Sequence, residues 1–316
     1  MSARDRNSDK RSPSSESQMT YGEFLRMFPT NQACLDYLRD KFYPAGSECP
    51  SCHKATKFHH VKGRSAFACQ YCRTQVYPTA GTIFHKSTTN LQLWFYAIFL
   101  MSSTRCGISA KQLEREIGVT YKTAHRMFKQ VRSMLQDDDE PFSGEVEVDE
   151  TYIGGRAKWA RGGSKQARGE RDKTVVFGAA QRGHNGSRGK IKATVVPHND
   201  AASLIPQVRS KVLPSTMVFT DELRSYHGLE GLGYGHQRVS HSTKVWVNGD
   251  AHTNTIEGFW SLLKGGLGGV YHSVSTEYLQ DYVNEYCWRY NHRDDDRPMF
   301  WTFLDRVTKS RPQLAL

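Results

Sequence analysis

The sequence predicts an α+β chain of several domains, and three observations carry that expectation. Two C-x-x-C pairs sit in a segment too small to bury a core of its own. Apolar residues recur at helical spacing on both sides of it, and beyond about residue 143 the pattern changes to strand-like alternation. A length of 316 residues with 38% hydrophobic content suits one large domain and one or two small ones. The 43 Lys and Arg against 32 Asp and Glu leave a formal charge of +11, which favours an anionic partner such as nucleic acid.

Residues 1–19 are polar, Ser-rich and charged, so they are expected to form a disordered tail. They lack the apolar core of an export signal, and the longest apolar run, Leu93 to Met101, is too short to span a bilayer. A cytoplasmic location follows as the expectation. Residues 20–47 form an N-terminal helical segment, read as two short helices separated at Pro29 and Thr30.

Residues 48–78 carry the cysteine pairs, Cys49 with Cys52 and Cys69 with Cys72, separated by residues 53–68. Each C-x-x-C turn presents two thiolates, and four thiolates make a tetrahedral zinc site. A redox dithiol or four small buried side chains are the alternatives, but two pairs at this spacing in a chain without an export signal favour a zinc ribbon. Its Zn²⁺ is expected to be structural, because four protein ligands leave no open position. Cys34, Cys106 and Cys287 lack such partners and read as core residues. His59, His60, Lys62, Arg64, Tyr71 and Arg73 surround the ribbon with positive and aromatic groups suited to a phosphate backbone, or to an ordinary solvated loop.

Residues 86–136 read as helices. In "ISAKQLEREIGVTYKTAHRMFKQVRSML", Leu113, Ile117 and Val119 would pack one helix on another across a turn at Gly118, with Thr120 capping the second. This is the layout of a helix-turn-helix DNA reader, although a plain three-helix packing unit has the same pattern. On the second helix Tyr121, Lys122, Thr123, Arg126, Lys129 and Arg132 would offer donors to phosphates and base edges.

An acidic linker over 137–145 leads into an α/β domain spanning 143–305. "GEVEVDETYI", "KTVVFGAAQR", "KIKATVVP" and "STMVFTD" read as strands, and "NDAASLIPQVRSKVL" as a crossover helix interrupted at Pro206. The Gly- and Arg-rich stretch 154–173, with Arg156, is either a contact to DNA phosphates or an insertion without one. "HTNTIEGFWSLLKGG" reads as an amphipathic helix, with Ile256, Phe259, Trp260, Leu262 and Leu263 on one side and Asn254, Glu257, Ser261 and Lys264 on the other.

Three acids stand out by context. Asp149 lies late in a strand, Asp221 ends the run "TMVFTD", and Glu257 sits on the polar stripe of that helix. Two Mg²⁺ ions about 4 Å apart need carboxylates converging from different elements to activate a nucleophilic oxygen and stabilise a leaving one. Asp149, Asp221 and Glu257 are the expected magnesium ligands. In a chain with 32 acids, only the strand-end and helix-face contexts separate this triplet from chance.

Together, "VDETYIGGR", "FTDELRSY", "HTNTIEGFWSLLK", "GGVYHSVSTEYLQDYVNEYCWRYNHRD" and the cysteine pairs closely resemble the ISXO-like DDE transposases of bacterial insertion sequences, a branch related to Merlin elements. The resemblance covers about residues 20–300. It implies a ribonuclease-H-like catalytic domain that cuts DNA at element ends and joins the freed 3′-hydroxyls to target DNA. It implies Asp149, Asp221 and Glu257 as the catalytic triad, with Asn254 as a supporting group, since this branch carries Asn or Glu in the third position. Lys264 matches the basic residue that contacts DNA near the cut, while Gly265 and Gly266 stand where a further basic residue is expected. "YHSVS", Asn291, His292 and Arg293 are implied to line a DNA channel. The implied partners are double-stranded DNA, as terminal repeats and target, and further copies of the chain in a synaptic complex. A DNA-binding regulator without catalysis and a nuclease that only hydrolyses are the alternatives.

Overall fold

The structure is a computed structural model and describes residues 19–104, 106–136, 140–154, 173–183, 189–239 and 252–309. The chain divides into two compact units, Met1–Met134 with Asp295–Leu316, and Leu135–Asp294. Among the described residues no helix is long and apolar enough to cross a membrane.

In the first unit, helices α1 (Tyr21–Met27) and α2 (Asn31–Phe42) are separated at Pro29, as the sequence reading expects. Thr20 caps the first in a reciprocal box with Glu23, and Thr30 caps the second through the amide of Ala33. They pack on the apolar helix α3 (Leu91–Ser103), whose Trp94, Phe95, Ile98 and Phe99 are buried. Helix α9 (Met299–Lys309) closes this core through Phe300, which meets the rings of Phe24, Phe28 and Phe99. Aromatic packing therefore puts α9 in the first unit, and the second unit ends at Asp294 and not at the expected residue 305. Between α2 and α3 lies a small antiparallel sheet of β1 (Phe58–His60), β2 (Phe67–Cys69) and β3 (Gln75–Val76). Helices α4 (Ala110–Ile117) and α5 (Tyr121–Ser133) meet across Gly118, whose φ of 67° is the left-handed turn that a glycine adopts without strain. Cys106 is exposed, contrary to expectation, because it lies in the turn between α3 and α4; Cys34 and Cys287 are buried.

The second unit is built on a five-stranded mixed sheet of β4 (Glu145–Ile153), β5 (Thr174–Gln181), β6 (Lys190–Val196), β7 (Met217–Thr220) and β8 (Gly235–Arg238), in the order β6-β5-β4-β7-β8. Strand β5 runs antiparallel to both of its neighbours, β4 and β6, while β7 lies parallel to β4 and β8 parallel to β7. A parallel return needs a crossover, and helix α6 (Ala201–Lys211) supplies it, with Asp200 as its cap and Pro206 contained within it. Val146, Val148, Phe177 and Val218 on one face of the sheet pack with Leu204 and Val208 of α6. On the other face Val176, Ala180 and Ile191 pack with Ile256, Phe259, Trp260 and Leu263 of α7 (Asn254–Gly266) and Leu279 and Val283 of α8 (Thr276–Asn291). Leu262, assigned to that apolar stripe from the sequence, is 56% exposed, because it lies a third of a turn off the buried line. At the edge of the sheet α8 substitutes for a further strand. Gln280 accepts from the amide of Val195 and donates to Ala193 O, while Asn291 accepts from the amide of Ile191 and donates to its carbonyl.

Candidate functional site

Asp149 lies on β4, and Asp221 directly follows β7. The parallel register pairs Glu147 with Phe219, so continuing both strands by two residues brings the two carboxylates side by side. Each of Asp149, Glu150 and Asp221 offers a carboxylate oxygen within 4.8 Å of the others. Glu150, which the sequence reading did not single out, thus stands in the cluster beside the two expected acids.

The support around each acid is specific. The indole N–H of Trp260 donates to Asp149 Oδ2 at 2.9 Å. The buried Tyr226 hydroxyl donates to Glu150 Oε2 at 3.0 Å, and the amide of Leu223 donates to Asp221 Oδ1 at 3.0 Å. Burial pushes the Asp149 carboxyl up to about 6, with the Asp221 and Glu257 charges adding to the rise and the Trp260 bond opposing it. Burial and the charges of Asp221 and Asp149 push Glu150 up to about 7. Carboxylates that repel one another in this way form an oxygen donor set suited to a hard divalent cation.

Glu257 is not part of the 4.8 Å cluster, although it is near enough for its charge to act on Asp149. It lies in the first turn of α7, exposed, and accepts from the Thr253 hydroxyl at 2.8 Å. Asn254 and Lys264 are exposed on the same helix. Gly266 is fixed by packing, since any Cβ there would collide with the Tyr286 hydroxyl. Gly178 is fixed in the same way: it pairs with Asp149 across the ladder, and a Cβ would lie 2.5 Å from Trp260 Cζ2. Trp260 is therefore a core residue, as expected from its apolar arc, but its N–H also serves the site.

A buried acid that the sequence reading missed, Glu147, ties α7 to β4. Its Oε2 accepts from the amides of Thr255 and Ile256 at 2.8 and 3.0 Å. Its Oε1 accepts from the Thr255 hydroxyl and Arg182 Nε, both at 3.0 Å. Its signal in the sequence was the two-residue step to Asp149, which puts both side chains on one face of a strand.

Three of the residues implied to line a DNA channel also make contacts within the unit, while His272, Ser273 and Ser275 of "YHSVS" are exposed. Asn291 serves the edge of β6, Arg293 stacks on Tyr290 at 3.8 Å and donates to Gly189 O, and His292 stacks on Trp288. Arg156 and most of the stretch 154–173 lie outside the described residues.

In the first unit the four Sγ atoms of Cys49, Cys52, Cys69 and Cys72 lie within 4.8 Å of one another, with Cys49 to Cys72 at 3.6 Å and Cys52 to Cys69 at 3.9 Å. A tetrahedron of sulfurs about 2.3 Å from zinc has edges of about 3.8 Å, so the set fits structural Zn²⁺. Both turns have one geometry: His53 (φ 57°) and Arg73 (φ 63°) are left-handed and return their amides to Cys49 O and Cys69 O. His59, His60, Lys62, Arg64, Tyr71 and Arg73 are exposed around them.

On α5, Lys122, Arg126 and Lys129 are exposed at helical spacing, and Tyr121 is 47% exposed beside the Lys111 ammonium. Arg132, expected among the donors to DNA, is buried, its guanidinium over the Phe128 ring. That position is one turn from Phe128 on the core side of the helix.

Comparison with known proteins agrees with this arrangement. Residues 141–291 match the ISXO2-like transposase domain, and residues 29–75 match the transposase zinc-ribbon domain. A protein in transposable element ISH50 of Halobacterium salinarum is 29% identical over 275 residues, covering 83% of this chain and 91% of that one. A transposase-like protein of Haemophilus influenzae is 34% identical over 105 residues, 33% of this chain and 84% of the relative. With a paired-cysteine ribbon in one unit, aspartates on β4 and just beyond β7 in the other, and matches across both, the chain belongs to the ISXO2-like transposase family.

Proposed function

We propose that this transposase binds the ends of its insertion sequence, cuts them, and joins the 3′-hydroxyl ends to target DNA. The observation that carries the reading is the approach of Asp149 and Asp221 on parallel neighbouring strands, beneath a helix bearing Glu257. The strand order, antiparallel as far as β4 and parallel beyond it, supports a ribonuclease-H-like fold for the second unit. The short turn at Gly118 and the exposed stripe Lys122, Arg126 and Lys129 support α4 and α5 as a helix-turn-helix.

In this reading Asp149, Asp221 and Glu257 hold two Mg²⁺ ions, with Glu150 as a neighbouring acid and Asn254 in support. The bound ions would activate the attacking oxygen and stabilise the leaving oxygen of the phosphodiester. Trp260 orients Asp149 and favours its ionised form, Tyr226 holds Glu150, and Leu223 N–H holds Asp221. Lys264, two turns beyond Glu257, contacts the DNA near the cut, and Tyr121 with the α5 cations engages the terminal repeats, as does Arg156. Bringing two element ends together calls for at least two copies of the chain. The setting is the bacterial cytoplasm, on nucleoid DNA.

A strand-transfer assay tests this directly: purified protein with Mg²⁺, labelled DNA carrying the element's flanking ends and a supercoiled target, beside Asp221→Asn. Joined products that vanish in the variant are expected. Binding to the ends without cutting would mark a regulator, and cutting without joining a nuclease.

A further inference from the structure

The helix that carries Glu257 does not cap itself. Thr253 makes no side-chain cap to the amides of the first turn, and its hydroxyl is used by Glu257. The first-turn amides of Thr255 and Ile256 point instead at a carboxylate from a distant strand, Glu147, which is fully buried. A buried carboxylate is retained only where partners replace its water, and here they are the helix N-terminus, the Thr255 hydroxyl and Arg182. His252 Nδ1 lies 3.0 Å from the same oxygen, and Arg182 also donates to His252 O and to Glu145.

We propose that Glu147 is a positioning residue that clamps the start of α7 to the strand bearing Asp149 and so sets where Glu257 and the Trp260 indole stand relative to it. Glu147 and Asp149 are two residues apart and share a face of β4, so the clamp and the site are built on one rigid strand. Thr255 and Ile256 immediately precede Glu257, and Trp260 lies one turn beyond Ile256 on the same side. A shift of the helix start would carry both groups with it. No atom of Glu147 needs to touch DNA or metal. The inference rests on the two-metal reading above, and the experiment separates the two.

The full chain, Glu147→Gln, Glu145→Gln and Asp221→Asn are compared without DNA. Mn²⁺ binding is read from the free-ion electron paramagnetic resonance signal, and folding from circular dichroism and thermal melting. Groups that orient metal ligands typically change affinity by about 10-fold or more. We expect Glu147→Gln to remain folded and bind Mn²⁺ about 10-fold more weakly, and Glu145→Gln, which removes the same charge from the same strand but a partner of Arg182 alone, to change binding by less than about 3-fold. Equal losses from the two Glu→Gln variants would mean a general effect of carboxylate charge and overturn the proposal, as would unchanged binding in Glu147→Gln. Should Glu147→Gln fail to fold, Thr255→Ala, which removes one bond of the clamp, is expected to weaken Mn²⁺ binding about 3-fold, and no change there overturns the proposal. If Asp221→Asn binds Mn²⁺ like the parent chain, the metal reading itself fails, whatever Glu147 does.

Discussion

The indole N–H of Trp260 reaches Asp149 Oδ2 at 2.9 Å across a strand position, Gly178, that has no side chain to block it. The contact joins a core residue of α7 to the carboxylate at the centre of the acidic cluster, and it favours the ionised form of that carboxylate. Trp260→Phe keeps most of the ring and removes the donor. A hydrogen bond to a charged group contributes about 1.5–3 kcal/mol, so the variant is expected to bind Mn²⁺ about 10-fold more weakly near pH 6.5. The Asp149 carboxyl should titrate higher than in the parent protein, which carboxylate NMR would report.

Gly178→Ala tests the same packing from the strand side. Its Cβ would meet Trp260 Cζ2 at 2.5 Å and Ile256 Cδ1 at 2.8 Å, so α7 must move or the strand must yield. Overpacking of this kind costs about 1–3 kcal/mol. Thermal melting should show that loss, with weakened Mn²⁺ binding as its companion. Gly258→Ala, on the open side of the same helix with nothing within 4 Å of its Cβ, should instead gain up to about 1 kcal/mol.

The raised carboxyls fix a pH dependence. Asp149 at about 6 and Glu150 at about 7 hold their protons more tightly in the folded chain than in the unfolded one, where carboxyls titrate near 4. The folded state therefore binds more protons between about pH 4 and pH 7, and the stability of the metal-free protein falls as pH rises through that window. A melting temperature about 5 °C lower at pH 7.5 than at pH 5 is expected from these groups. Added Mg²⁺ should restore it increasingly as pH rises. A metal-free melting temperature that climbs across the window would contradict this account.

How much of this was legible beforehand depended on how local each signal is. The four strands β4 to β7 and the helices α1 to α5 announce themselves by periodicity and caps, and the cysteine spacing needs no tertiary context. Strand β8, "GHQR", has no apolar alternation; it is a strand because β7 offers it a parallel edge. Glu147 and Glu150 looked like ordinary polar positions in an alternating strand. Only the packing of α7 makes the first a buried clamp, and only the approach of β7 makes the second a neighbour of Asp221. Arg132 differs in the other direction: a polar residue expected to be a donor to DNA is absorbed by a neighbouring ring. Charge and amide chemistry say what a side chain can do, and burial decides which partner receives it.

The ribbon should depend on its metal. Its strands are two or three residues long, and Phe58, Phe67 and Val76 are almost its whole apolar interior. Such a unit does not bury enough surface to hold itself, so the four thiolates and their ion must supply the difference. Cys69→Ser is expected to abolish stoichiometric zinc measured by atomic absorption and to open residues 48–78 to protease. A chelator should produce the same cleavage in the parent chain. Zinc retained in the variant would rule out this ligand set.

On α5 the exposed and buried cations make opposite predictions. Lys122, Arg126 and Lys129 face outward, while Arg132 lies over Phe128 in the core. If the outward stripe meets phosphates, each Ala substitution there should weaken binding to element-end DNA and lower the slope of log affinity against log salt by about 0.9. Melting temperature should hardly move. Arg132→Ala should do the reverse, lowering the melting temperature by a few degrees through lost packing while leaving the salt slope intact. Fluorescence anisotropy across a salt series, run beside thermal melts, separates the two. A salt slope that responds to Arg132 but not to Arg126 would place the DNA on another face of the helix pair.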